Sequence, residues 1–85
     1  MPYISKKQRV NVDGPLEGLY PFIETPGEMN YAVCKLMLDF LQFHGESYTT
    51  YNSIIGILEC VKQEFYRRMI AKYEDKKIEE NGDIF

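Results

Sequence analysis

The run TYNSIIGILECVKQEFYRRMIAKY at residues 50–73 carries the clearest structural signal in this 85-residue chain. At 100° per residue, its apolar side chains fall into one helical stripe, formed by Tyr51, Ile54, Ile57, Leu58, Val61, Phe65 and Met69. No proline or β-branched cluster interrupts the run, and Gly56 is its only weak point. We therefore predict a long third helix from Thr50, as its N-cap, to at least Tyr73, with this stripe as the core.

A second line of large side chains runs beside this stripe on the same predicted helix. It consists of Ile55, Glu59, Lys62, Tyr66, Ile70 and Tyr73. Apolar area with a few polar groups in it is typical of the middle of a protein interface. We expect this line to contact another chain.

A second helix is predicted over residues 26–44. Thr25 and Glu28 have the spacing of a capping box. Pro26 falls at the first helical position, where its missing N–H costs nothing. Gly45 is the expected left-handed stop.

The two ends of the chain are less regular. Residues 1–13 are predicted to form an extended arm. Residues 16–23 have helical spacing interrupted by glycine and proline, which favours a short or broken first helix. In the tail, residues 76–85, Asn81-Gly82 either ends a helix or forms the turn of a small hairpin. Of these, we favour a helix that ends earlier and a turn at Asn81.

Composition excludes several classes of protein. Eighty-five residues make one small domain, and 45% hydrophobic with 27% charged residues is typical of a globular chain. The net charge of −3 argues against general nucleic-acid binding and against docking on an anionic membrane. No apolar run has membrane-spanning length, and residues 1–10 lack the apolar core of a signal peptide. We expect a cytoplasmic protein in which Cys34 and Cys60 are free thiols.

The predicted fold is all-α, with three helices of which the second and third form a helical hairpin. Apolar residues surround most of the second helix, so it needs cover on more than one side. A short first helix cannot cover that surface together with the two faces of the third. We therefore predict a homo-oligomer with Leu38 and Leu41 at its interface, beside the second line of the third helix. The alternative is a compact monomer whose arm and tail cover the extra surface.

No catalytic, metal or cofactor site is predicted. His44 is the single histidine, and no nucleophile or acid stands at a recognisable spacing from it. Its position at a helix end suits an imidazolium, because the carboxyl end of a helix carries partial negative charge. Neither His44 nor the two cysteines show the ligand spacing of a zinc site.

The candidate ligand-binding residues combine flat rings with cations. Tyr66, Arg67 and Tyr73 lie near the end of the third helix, and Tyr31 with Lys35 forms a similar pair on the second. Rings stack on nucleobases and guanidinium groups bind phosphate, so patches from two chains would enclose a small nucleotide. The alternative is that these long side chains cover an apolar seam.

Short motifs are spread over nearly the whole chain, among them Pro2-Tyr3-Ile4, Pro26-Gly27-Glu28, Gly56-Ile57-Leu58-Glu59-Cys60, Glu64-Phe65-Tyr66-Arg67-Arg68 and Asn81-Gly82-Asp83. With them the chain resembles a family of short uncharacterised proteins from phages and prokaryotes. The resemblance implies a phage or mobile-element accessory protein that acts in the host cytoplasm. It implies no activity.

A weaker resemblance concerns the plan of the helices. A Pro-Gly-Glu helix start and a later Leu-Glu run leading into a basic, aromatic helix are similar to small helical-hairpin phage proteins. Those proteins oligomerise and sequester cyclic-nucleotide immune signals. An intervening helix and loop, residues 35–50, departs from their plan.

Two functions are expected as alternatives. The first is a non-catalytic accessory protein that self-associates and binds or inhibits a host protein through an acidic, tyrosine-rich surface. The second is an oligomeric sponge for a small cyclic nucleotide, held by the five candidate residues. A structural subunit of a larger particle is a third possibility.

Overall fold

The computed structural model describes residues 3–85, and every regular element in this range is helical. The elements are α1 (Lys6–Leu19), a 3₁₀ turn (Tyr20–Phe22), α2 (Pro26–His44), α3 (Tyr48–Phe65), a π turn (Tyr66–Ile70) and α4 (Ala71–Asn81). The last three follow one another without a break and form a segment of 34 residues, here called the long helix. The prediction of an all-α chain with three helices, the last one long, is confirmed.

The chain divides into two units, Met1–Gly45 and Glu46–Phe85. In the first unit the predicted extended arm is wrong, because α1 begins at Lys6; residues 1–2 of that arm lie outside the described residues. Ser5 and Gln8 form a capping box, in which the Gln8 amide N–H donates to Ser5 Oγ at 3.2 Å and the Ser5 amide N–H donates to Gln8 Oε1 at 2.8 Å. The cap starts a helix in a stretch that has little apolar periodicity.

The first helix is interrupted later than the sequence suggested. α1 passes through Pro15 and ends at Leu19, and the 3₁₀ turn follows with Pro21 inside it. A proline within a helix removes one backbone hydrogen bond. Nearly all of α1 is exposed, so water can solvate the carbonyl group that loses its donor. The Ile23 amide N–H closes the 3₁₀ turn on the Tyr20 carbonyl at 3.1 Å.

The predicted bounds of α2 are confirmed. Thr25 is the N-cap of a complete capping box with Glu28, and Pro26 is the first helical residue. At the other end Gly45 has a φ of 84°, a conformation that favours glycine. Its amide N–H donates to the Leu41 carbonyl at 2.8 Å.

The long helix begins and ends at residues other than those predicted. Its N-cap is Ser47 rather than Thr50, because Ser47 Oγ accepts the Thr50 amide N–H at 3.0 Å and Thr50 lies within the first turn. The helix continues to Asn81, so the favoured earlier end is wrong. Gly82 then stops it with a φ of 85°, which confirms the helix-ending interpretation of Asn81-Gly82 over the hairpin.

Burial is slight in both units. Among the described residues, Thr50 and Ile54 are the buried ones, each with 8% of its surface exposed. On α2 the half-buried residues recur at helical spacing and mark one face; they are Ala32, Val33, Met37, Phe40 and Leu41. Most other large apolar side chains are exposed, so local hydrogen bonds and caps contribute much of the order in each unit.

We predict that Thr25→Ala destabilises the chain by about 1 kcal/mol, because it removes the hydroxyl that accepts the Glu28 amide N–H. Urea denaturation followed by circular dichroism measures this free energy of unfolding. Thr25→Ser is the control and keeps most of the stability, since serine caps equally well. Equal denaturation midpoints for Thr25→Ala and wild type would contradict the prediction.

Candidate functional site

A groove of about 360 Å³ lies in the first unit, where the 3₁₀ turn meets the first turns of α2. It is lined by Leu19, Phe22, Ile23, Gly27, Glu28, Tyr31 and Ala32. The rings of Phe22 and Tyr31 are 74% and 68% exposed, so both remain open to a ligand. The walls of the groove are therefore mainly apolar and accessible.

The groove exists because of the chain's path between α1 and α2. Pro21 holds the 3₁₀ turn, and Ile23 leaves it in an extended conformation with φ −106° and ψ 95°. Thr25, also extended, then starts α2. The apolar residues of the 3₁₀ turn are thereby set against the first turns of α2.

Glu28 places a fixed negative charge at this groove. Its Oε1 accepts the amide N–H groups of Glu24 at 3.1 Å and Thr25 at 2.9 Å. The amide of Glu24, followed by the side chain and amide of Thr25, lowers the pKa of Glu28 below its usual value. The carboxylate is therefore ionised at neutral pH. In the sequence, residues 10–34 also contain Asp13, Glu17 and Glu24 and no Lys or Arg.

Of the predicted ligand residues, Tyr31 and Lys35 belong to the first unit. Tyr31 lines the groove, and Lys35 is exposed one turn further along α2. The nearby Asn30 finds a partner on its own helix, since the Cys34 thiol donates to Asn30 Oδ1 at 3.7 Å. Cys34 and Cys60 are both free and exposed, which confirms the free-thiol prediction.

In the second unit, the stripe predicted as core is mostly exposed. Ile54 is buried and Leu58 is half-buried, but Tyr51, Ile57, Val61, Phe65 and Met69 are exposed. The prediction of a core stripe is wrong for these five residues, because a single helix has nothing in its own unit to pack against. Large contiguous apolar patches on a protein surface are typical of interaction sites.

The residues of the second line are also at the surface. Ile55, Glu59, Lys62, Tyr66, Ile70 and Tyr73 are all exposed, as is Leu38 on α2, while Leu41 is half-buried. Glu59 accepts from Gln63 at 3.1 Å and pairs with Lys62 at 3.1 Å, and these partners lower the pKa of Glu59. Its polar group is thus satisfied within the helix.

The π turn changes the register of the long helix. It is closed by the Ala71 amide N–H, which donates to the Tyr66 carbonyl five residues back. Such a turn contains one residue more than an α-helical turn, so the faces after it are shifted by roughly 100°. Tyr73 is then about 120° from Tyr66, whereas regular α-helical spacing puts the two on nearly the same face.

The shift gives Tyr73 new neighbours on the helix surface. Counting the π turn as one extra residue places Val61, Phe65 and Tyr73 within roughly 20–40° of one another. All three are exposed. We call these three residues the apolar face of the long helix; it has members on both sides of the π turn. Sequence periodicity missed it, because a constant 3.6-residue period assigns Tyr73 to the second line.

The π turn also explains a hydrogen bond between two side chains that are eight positions apart in the sequence. The Tyr66 hydroxyl donates to Glu74 Oε2 at 2.9 Å, and the extra residue brings the two positions to within roughly 20° on the helix. The bond to Glu74 raises the pKa of Tyr66 above its ordinary value. Tyr66 is therefore a hydrogen-bond donor at neutral pH, with its hydroxyl already engaged.

The other predicted ligand residues of the second unit are engaged as well. Arg67 and Arg68 both pair with Glu64, at 2.9 Å and 3.2 Å. The Lys77 ammonium lies 5.5 Å from the centre of the Tyr73 ring, within cation–π range. Each ring or cation of the predicted nucleotide site in this unit thus has a partner on its own helix.

His44 packs as an aromatic ring on α2. Its ring centre lies 4.2 Å from that of Phe40 and 5.0 Å from that of Phe43. Within residues 3–85, no three His, Cys, Asp or Glu side chains are grouped to hold a metal ion. In the same range, no helix has both the length and the apolar character needed to cross a membrane.

The comparisons with known proteins give a family and no function. A family model described as Domain of unknown function (DUF6899) matches residues 1–84. No curated protein and no solved structure matches the chain.

We predict that Tyr66 ionises at a higher pH than an ordinary tyrosine and that Glu74→Gln lowers its pKa. Because the folded-state pKa is raised, the bond contributes stability below the unfolded pKa of about 10 and loses it as the pH rises through the folded value. Subtracting the phenolate absorbance of Tyr66→Phe from that of wild type isolates the Tyr66 titration. Glu79→Gln is the control; if it acts like Glu74→Gln, the assigned bond is wrong.

Proposed function

The chain belongs to the family described as Domain of unknown function (DUF6899), and we propose that it is a non-catalytic helical protein that self-associates and binds another protein. Self-association uses the apolar face of the long helix. The groove in the first unit receives the other protein. An accessory role in a phage or mobile element, with a host protein as the target, stays a prediction from the resemblance.

The apolar face is the observation that carries this proposal. Val61, Phe65 and Tyr73 are 61%, 58% and 61% exposed, although burying such side chains stabilises a protein by about 1.5–3 kcal/mol each. A second copy presents the same face, and twofold pairing buries both at once. Stable interfaces bury roughly 1,200–2,000 Å², so the contact between copies extends along the long helix beyond these three residues.

The charges beside this face suit a contact between copies. Lys62 pairs with Glu59, and Lys77 pairs with Glu80 at 3.2 Å. Because these pairs form within the helix, they add little net charge to a contact with a second copy. The helical hairpin of the second and third helices, and Leu38 and Leu41 as further interface residues, stay predictions.

The shifted pKa values support binding rather than catalysis. Glu28 owes its lowered pKa to a helix cap, and Glu59 owes its own to Gln63 and Lys62 on the same helix. The Tyr51 hydroxyl donates to Glu46 at 2.5 Å, which raises the Tyr51 pKa. All three groups are surface residues with a structural partner. Catalytic groups differ, since their shifts come from burial and from clustering in a cleft.

We predict that Val61→Glu abolishes or weakens self-association by at least about tenfold, because it places a charge in the middle of the interface. Sedimentation velocity at micromolar concentrations of the whole chain measures the effect. Asn52→Glu is the matched control, since it adds the same charge at an exposed polar position of α3. Circular dichroism should show equal helix content in both variants.

Two outcomes would overturn the proposed self-association. One is a wild-type chain that sediments as a monomer at every concentration. The other is a Val61→Glu variant that associates as strongly as Asn52→Glu, which would place the interface elsewhere.

The alternative of a nucleotide sponge has weaker support. Arg67 is paired with Glu64, and Tyr66 is bonded to Glu74. A phosphate that approaches these residues meets two carboxylates and must break existing pairs. We therefore expect no cyclic mononucleotide or dinucleotide to raise the melting temperature of the whole chain.

A thermal-shift series at saturating nucleotide checks this expectation. The double variant Glu64→Gln, Glu74→Gln provides the comparison, because it removes the competing carboxylates and leaves the rings and cations in place. Stabilisation of the wild type that Arg67→Ala eliminates would favour the sponge. A shift that appears only in the double variant would support the inhibitory role of the two carboxylates.

A further inference from the structure

The groove at the start of α2 combines apolar walls with one negative charge in its lining. Phe22 and Tyr31 offer exposed rings, and Glu28 supplies an ionised carboxylate at the edge of the lining. Across residues 10–34 four acidic side chains stand without any Lys or Arg. This contrasts with the long helix, where Glu59, Glu64 and Glu80 have basic partners.

We propose that this groove binds a basic amphipathic segment of a partner protein, which inserts an apolar side chain and sets Lys or Arg against the Glu28 carboxylate. The inference rests on the proposed function of binding another protein and names the chemistry of that partner. The groove is the docking site, and residues 10–34 select the charge of the segment.

The size of the groove limits what enters it. About 360 Å³ is at the lower end of the roughly 300–1,000 Å³ typical of binding pockets. This space suits one or two large side chains, such as leucine or phenylalanine, while the backbone of the segment stays outside. Aromatic walls are typical of the positions that dominate binding energy in interfaces.

The hydrogen bonding of Glu28 determines the charge of the ligand. Oε1 takes both amide donors of the cap, and the Thr25 side chain also hydrogen-bonds to the carboxylate; the two carboxylate oxygens together have room for a further donor. A guanidinium or ammonium group supplies one, and charge-assisted hydrogen bonds are about twice as strong as neutral ones. A phosphate or an acidic segment is repelled by this carboxylate and by Glu17 and Glu24 nearby in the chain.

A second copy of this chain is a poorer occupant. Two of its three arginines, Arg67 and Arg68, are already paired with Glu64, and the third, Arg9, lies on α1. The proposed contact between copies also uses a different surface, the apolar face of the long helix. The segment that fits is therefore one whose cations are unpaired before it binds.

The test uses three labelled synthetic peptides and fluorescence anisotropy with the whole chain. The first peptide is helical, with Leu and Phe anchors one turn apart and Lys and Arg flanks. In the second, every basic residue is replaced by Glu; in the third, both anchors are replaced by Ser. We expect the first peptide to bind and to weaken as salt rises, and the other two to bind at least about tenfold more weakly.

Two pairs of variants locate the binding. The double variant Glu17→Lys, Glu24→Lys reverses two negative charges in the chain segment that forms the groove. Its control, the double variant Glu79→Lys, Glu80→Lys, makes the same change of charge in the second unit. Tyr31→Ala removes a wall of the groove, and Tyr48→Ala removes an exposed ring elsewhere. We expect the first member of each pair to weaken the basic peptide at least about tenfold and its control to leave binding unchanged. Circular dichroism checks that all four stay folded.

Several results would overturn the inference. Equal binding of the basic and acidic peptides would remove the charge argument, and unchanged binding in Tyr31→Ala would place the peptide outside the groove. Loss of self-association in Tyr31→Ala would identify a second copy as the occupant. Failure of self-association itself is seen separately, because Val61→Glu leaves the groove intact and should still bind the basic peptide.

Discussion

Each helix start in this protein depends on a hydroxyl side chain that accepts a backbone N–H three residues later in the chain. Ser5, Thr25 and Ser47 fill this role for α1, α2 and the long helix. Isolated helices of this length are marginal in water, and little apolar surface is buried among the described residues. The caps therefore define where helices begin, but they do not supply the stability that packed cores give. That missing contribution is the physical basis of the self-association proposed above.

The π turn is the second feature on which the surfaces depend. One extra residue between Phe65 and Ala71 turns the end of the long helix by roughly 100°. As a result Tyr73 joins Val61 and Phe65, and Tyr66 reaches Glu74 instead of lying beside Tyr73. The turn thus separates two rings, those of Tyr66 and Tyr73, that a regular helix would place on the same side. A regular helix would present an aromatic patch suited to a flat ligand. With the π turn, the long helix instead presents an apolar face suited to another helix.

Sequence reasoning was most successful where a side chain determines its own backbone. The Thr25-Pro26-Gly27-Glu28 motif predicted the start of α2, and Gly45 predicted its end. The Ser5 cap was missed because few apolar residues follow it, so no periodicity pointed to a helix.

The π turn was missed because spacing arguments assume a constant period. The groove was missed although Leu19, Phe22 and Ile23 crowd around a proline, because its shape depends on how the 3₁₀ turn meets α2. The burial of the long helix was overestimated, because burial depends on which elements pack against a helix. The helix's own sequence does not specify those elements.

The net charge of −3 hides two segments whose balance of acidic and basic side chains differs. Residues 62–72 contain four basic side chains and one acidic one, Glu64, which holds both arginines. Pairing of this kind keeps a helix soluble beside an apolar face and adds little attraction for a charged partner. The charged side chains of residues 10–34 are all acidic, and one of them, Glu28, is held ionised by the cap of α2. Carboxylates without counter-charges leave a local negative potential, which attracts cations over about one Debye length. The same cap that starts α2 therefore also holds the charge on which the proposed binding of a basic partner depends.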